Sequence, residues 1–75
     1  MSANAIYRFE ELRHIADNGG IFVLKIDGER DQSKSYSVVL TGGGLGDNEY
    51  FHRDGGDFKE LIDDAILHYY VAIKK

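Results

Sequence analysis

The pattern from Phe58 to Ile73 constrains this chain more than any other feature. Phe58, Leu61, Ile62, Ala65, Ile66, Tyr69, Ala72 and Ile73 recur at i, i+3, i+4 and i+7 over about four turns, which predicts an amphipathic helix with one face against a core. Asp57 stands three residues before Glu60, the spacing of a capping box, and places negative charge at that helix's N-terminus. Such a helix needs an apolar surface to cover, and the remainder of a 75-residue chain has to supply it. A domain of this length buries only roughly 60% of the surface its unfolded chain exposes, so the core is thin.

Alternating segments upstream meet that need. Ile21 to Asp27 reads as a strand, with Phe22, Leu24 and Ile26 on one face. Ile21 and Val23 fall on the other, which predicts a strand that is central or covered on both sides. Gly28 to Ser35 is polar and reads as a hairpin loop, followed by a second strand from Tyr36 to Thr41. The run Gly42-Gly43-Gly44-Leu45-Gly46-Asp47-Asn48 reads as a flexible loop, because ordering so many glycines forfeits entropy. Glu49 to Arg53 reads as a short third strand at a sheet edge. Arg8 to Asp17 completes the pattern as a short helix, with Phe9, Leu12, Ile15 and Ala16 at helical spacing and Asn18-Gly19-Gly20 ending it. The order is helix, three-stranded antiparallel sheet, helix: an α+β fold, αβββα, in one domain spanning residues 1–75.

Charge is distributed unevenly over this frame. Between Gly42 and Ile66 stand Asp47, Glu49, Asp54, Asp57, Glu60, Asp63 and Asp64 against Arg53 and Lys59, a local net charge of −5 in a chain whose total is −4. A flank of that sign suits a positively charged partner and would repel nucleic acid. The chain has no cysteine, so neither a disulfide framework nor a cysteine-based zinc site is available. The longest apolar run, Ile21 to Leu24, is far too short for a bilayer span. Met1 to Ala5 lacks the basic start and apolar core of a secretory signal, and the expected location is the cytoplasm.

Catalytic motifs are absent from the sequence. The glycine run lacks the Lys-Ser or Lys-Thr of a phosphate loop and the spacing of a dinucleotide fingerprint, and Asp47 and Glu49 beside it would repel phosphate. His14, His52 and His68 are candidate metal ligands, with Asp64 one turn before His68 and Asp54 two residues after His52. No further ligand is positioned by spacing, so a solvated face explains them better and no cofactor or metal is expected. Ser33, Ser35, Ser37 and Thr41 have no nucleophile-elbow context, and the expectation is a non-enzymatic protein. Phe9, Phe22, Phe58 and Tyr69 sit in core phase. Tyr70 falls off the apolar stripe, and Tyr50 and Phe51 point to opposite sides of a strand, which leaves one of them exposed as a candidate anchor for a protein partner.

The αβββα order resembles that of the double-stranded RNA-binding domain in topology alone. That family grips phosphate with a basic cluster at the start of its last helix. Here Asp57, Lys59, Glu60, Asp63 and Asp64 reverse the sign, so direct nucleic-acid binding is not carried over. In size, acidity, lack of cysteine and lack of catalytic motifs the chain resembles the small anti-CRISPR inhibitors of phages and mobile elements. That resemblance rests on general character and on no diagnostic motif. It implies a mechanism in which carboxylates stand in for phosphates against a basic groove of a CRISPR effector in the bacterial cytoplasm. The residues expected to meet the partner are Asp47, Glu49, Tyr50, Asp54, Asp57, Glu60, Asp63, Asp64 and Tyr70. The alternative is a small homo-oligomeric assembly module that pairs through its third strand, with acidity serving solubility. Both a monomer and a homodimer fit the sequence.

Overall fold

The computed structural model describes residues 7–74; the Met1–Ala5 segment read above for a leader, with Ile6 and Lys75, lies outside them. The elements are α1 (Phe9–Asp17), β1 (Gly20–Ile26), β2 (Tyr36–Gly42), β3 (Phe51–Gly55) and α2 (Phe58–Ile73), with a short 3-10 turn at Gln32–Lys34 inside the β1–β2 loop. The three strands form one antiparallel sheet in the order β1-β2-β3. This is the αβββα arrangement read from the sequence.

Register decides what each face carries. Phe22 lies opposite Leu40, Leu24 opposite Val38, and Leu40 opposite Phe51, so these side chains share one face. Both helices lie on that face. Leu12 and Ile15 of α1, Val38 and Leu40 of β2, and Leu61, Ile62, Ala65, Ile66 and Tyr69 of α2 form a single buried cluster. α2 lies across β2 and β3, and α1 covers β1.

α2 begins as the sequence indicates. The Asp57 carboxylate accepts hydrogen bonds from the backbone N–H groups of Lys59 and Glu60, satisfying donors that the first turn leaves without partners. α1 has no side-chain cap. Arg8 precedes it with φ 56°, a left-handed conformation unfavourable for an arginine, and its guanidinium is held between Glu11 and Asp63. At the far end Gly19 takes φ 91° and its N–H bonds to the Ala16 carbonyl, closing the helix.

Two sequence expectations need correction. β1 is neither central nor covered on both sides. It is an edge strand, and Ile21 and Val23 are 61% and 49% exposed, because both helices pack on the Phe22–Leu24 face and no other described element covers the opposite one. The third strand starts at Phe51 rather than Glu49. Glu49 belongs to a turn instead: its N–H bonds to the Gly46 carbonyl and its carboxylate accepts from the Gly46 N–H. No helix among the described residues is long and apolar enough to cross a membrane.

Candidate protein-binding surface

The seven acids between Gly42 and Ile66 do not form one field; the fold deals them to separate places. Asp54 projects from β3 onto the helix-free face, 3.4 Å from an Arg30 nitrogen and 3.5 Å from His52 Nε2. A hydrogen bond from Ser37, with Arg30 adding to it, holds its carboxyl below the usual carboxylate range. Asp63 lies on the flank of α2 nearest the start of α1, where Arg8 Nη1 donates to it at 2.9 Å and the Tyr7 hydroxyl at 3.0 Å. The Arg8 hydrogen bond, then that of Tyr7, lowers its pKa. Asp57 is committed to the α2 N-terminus.

Glu60 and Asp64 face the β3 side of α2 and share one cation: Arg53 pairs with Asp64 and, at 3.4 Å, with Glu60. Asp47 is exposed at the Gly46–Glu49 turn, and Glu49 is half-buried there. Asp47, Glu49, Glu60 and Asp64 therefore lie toward the α2 side of the β3 edge, while Asp54 sits on β3 but turns to its helix-free face, and Asp57 and Asp63 lie away from that edge.

Along that same edge the structure exposes apolar side chains. Leu67 and Val71, one turn apart on α2, are 63% and 57% exposed, and Tyr50 just before β3 is 56% exposed. Between α2 and β3 runs an open groove of about 510 Å³ lined by Phe51, Arg53, Asp64, Leu67, His68 and Val71. His68 fixes its floor: its Nε2 lies 2.5 Å from the Glu49 carbonyl oxygen and its ring packs on Phe51 at 5.6 Å. Of the two neighbours Tyr50 and Phe51, the exposed one is thus Tyr50. Tyr70 is not part of this edge. It lies on the opposite side of α2 from His68, half-buried and edge-on to Tyr69 at 5.3 Å.

Leu67 and Val71 were missed from sequence, although a signal existed: both are apolar residues outside the buried stripe, at i, i+4 spacing to each other. Arg53 was likewise counted as one base among many acids, whereas its position opposite Glu60 and Asp64 makes it the organiser of the groove wall.

The helix-free face brings Ser37, His52 and Asp54 together, residue types that recur in hydrolases. Their order is wrong for that chemistry. Asp54 stands between Ser37 and His52, whereas a triad needs the histidine in the middle to take the serine proton. Asp64 and His68, paired above as possible ligands, are turned to Arg53 and to Glu49 respectively. Among the described residues no group of three or more His, Cys, Asp or Glu side chains is arranged to hold a metal ion. The fold and this edge are what the chain offers for comparison: no family model matches it, and neither does any curated protein or solved structure.

Proposed function

We propose that this chain is a non-enzymatic binding protein that inhibits a basic, nucleic-acid-handling protein by docking the α2–β3 edge on its nucleic-acid-binding surface. One observation carries the reading: exposed Leu67 and Val71 line a groove with Asp64 and Arg53, to which Glu60 is paired, and the His68–Glu49 contact brings the turn bearing Asp47, Glu49 and exposed Tyr50 to the same edge. Four acids against Arg53 leave this edge at −3, so a Lys- or Arg-lined groove is the complementary surface. The aromatic and aliphatic side chains supply buried area, and the carboxylates supply steering and exclude partners of the wrong sign. A bacterial CRISPR effector is the partner class implied by the resemblance to small phage inhibitors. The mechanism is occlusion, with the inhibitor holding the groove that nucleic acid would enter and making no nucleic-acid contact itself.

The test is a purified CRISPR effector panel in a target-DNA binding assay, with wild-type protein and a Tyr50→Ala/Leu67→Arg variant. The wild type is expected to displace DNA from one effector and the variant to fail. Inhibition by both alike would remove the α2–β3 edge from the mechanism, and no inhibition across the panel would remove the CRISPR effector as partner.

A further inference from the structure

β1 forms the other edge of the sheet, on the far side of β2 from the α2–β3 edge. In an antiparallel ladder the residues alternate between bonding inward and outward. The Asp27 N–H bonds to the Ser35 carbonyl in register with the β1–β2 pairing, so Ile21, Val23 and Lys25 bond inward to β2. The N–H and C=O groups of Gly20, Phe22, Leu24 and Ile26 therefore point outward, and no other described segment hydrogen-bonds to them.

The two sheet edges differ in how they are protected. β3 is five residues long and carries His52, Arg53 and Asp54, the short, charged form of edge that resists pairing. β1 is seven residues long and Lys25 is its single charge. Ile26 is 67% exposed at its end, and an apolar groove of about 330 Å³ between α1 and β1, lined by Phe9, Leu12, Ala16, Phe22 and Leu24 with Arg13, lies against the same strand.

We infer that two copies of this chain pair through β1, antiparallel about a two-fold axis at Val23, to make one six-stranded sheet. Self-complementarity selects a second copy as the occupant. With the axis at Val23, Phe22 meets the partner's Leu24 and Gly20 meets the partner's Ile26, so all four outward-bonding residues are used in hydrogen-bonded pairs. The exposed Ile26 lies across from the partner's Gly20, where Ile15 of α1 packs directly over the strand and offers an apolar contact. Val23 meets the partner's Val23 at the axis, where opposing side chains approach most closely. Lys25 lies opposite the partner's Ile21, and the two lysines fall at opposite ends of the pair, so no like charges face each other.

Sedimentation equilibrium over a concentration series tests this, with the wild type and the single variants Val23→Lys, Val23→Glu and Ile26→Pro. The wild type is expected to dimerise reversibly. Val23→Lys and Val23→Glu are each expected to be monomeric with unchanged circular dichroism, since Val23 is half exposed in the monomer, and an equimolar mixture of the two is expected to recover the dimer. Ile26→Pro removes an outward N–H at a residue whose side chain lies on the helix-bearing face, and is expected to weaken the dimer while leaving the β1–β2 ladder whole. A wild type that stays monomeric, a Val23→Lys protein that still dimerises, or a mixture that stays monomeric overturns the proposal. An Ile26→Pro protein that dimerises as tightly as the wild type moves the contact to the helix-free face and overturns it equally. None of these substitutions touches the α2–β3 edge, so the two proposals fail separately.

Discussion

The hydroxyl of Tyr69, buried in the last third of α2, donates to the backbone carbonyl of Gly43 at 2.5 Å. That bond ties the core helix to the glycine loop whose far end presents Asp47, Glu49 and Tyr50. The loop turns through Gly42, Gly43 and Gly44 at φ 73°, 63° and 100°, a run of left-handed conformations that side chains disfavour. Tyr69→Phe is expected to lower stability by about 1 kcal/mol and to speed amide exchange from Leu45 to Tyr50. Urea melts and hydrogen exchange read the two effects. Unchanged exchange in that segment would mean the bond does not hold the loop.

Gly43→Ala adds a second handle on the same loop. Its Cβ would lie 3.0 Å from Tyr69 Cε1 at a φ that costs an alanine about 1–2 kcal/mol, so a loss of at least that size is expected in the same urea melts. A substitution tolerated without loss would show that the loop rebuilds around it.

Asp57→Ala removes the α2 cap. The expected cost is about 1 kcal/mol, with fraying confined to the first turn of α2, measured by thermal melts and by amide exchange at Lys59 and Glu60. Asp57→Asn, which keeps an acceptor, is expected to retain most of the stability.

Much of the fold was legible in the sequence for a physical reason: α2 repeats its apolar residues at the helical period for its whole length and carries its own cap, so local information suffices. The position of β1 was not legible. Ile21 and Val23 are as apolar as Phe22 and Leu24, and only the placement of both helices on one face leaves the first pair in solvent. The charge pattern misled in the same way. Asp63 finds Arg8 and Asp54 finds Arg30 across 55 and 24 residues of sequence, pairings that no local window contains. Linear density of acids is therefore a poor guide to field, and the groove at Leu67 and Val71 emerged only once α2 and β3 were placed side by side.

Acid sensitivity follows from those long-range pairs. Hydrogen bonds from Arg8 lower the Glu11 and Asp63 carboxyls, and Ser37 with Arg30 lowers Asp54. A group depressed in the folded state contributes stability above its unfolded pKa, about 4 for a carboxylate, and that contribution is lost as pH falls through the folded values. The melting temperature is expected to be level near neutrality and to fall below about pH 4. Asp63→Asn is expected to lower it at neutral pH and to shallow the acid decline; an unaltered decline would assign it to other carboxylates.

Arg53 separates charge used for stability from charge used for binding. Its pairs with Glu60 and Asp64 are surface pairs, so Arg53→Ala is expected to change stability by no more than about 1 kcal/mol. The same substitution takes the edge from −3 to −4 and is expected to raise the association rate with a basic partner and to steepen its salt dependence. Stopped-flow association at several salt concentrations distinguishes this from a slower rate, which would make Arg53 a contact residue.

Leu67 and Val71, with exposed Tyr50 at the same edge, form the surface we propose a partner docks on. A quantitative pull-down from a CRISPR-bearing bacterial lysate, comparing wild type with Leu67→Arg at equal folded concentration, puts this docking surface to the test. The expected result is a basic nucleic-acid-handling protein recovered with the wild type and lost with Leu67→Arg, while a Val23→Lys control retains it. Equal recovery by wild type and Leu67→Arg, or recovery of no such protein by either, would contradict the claim.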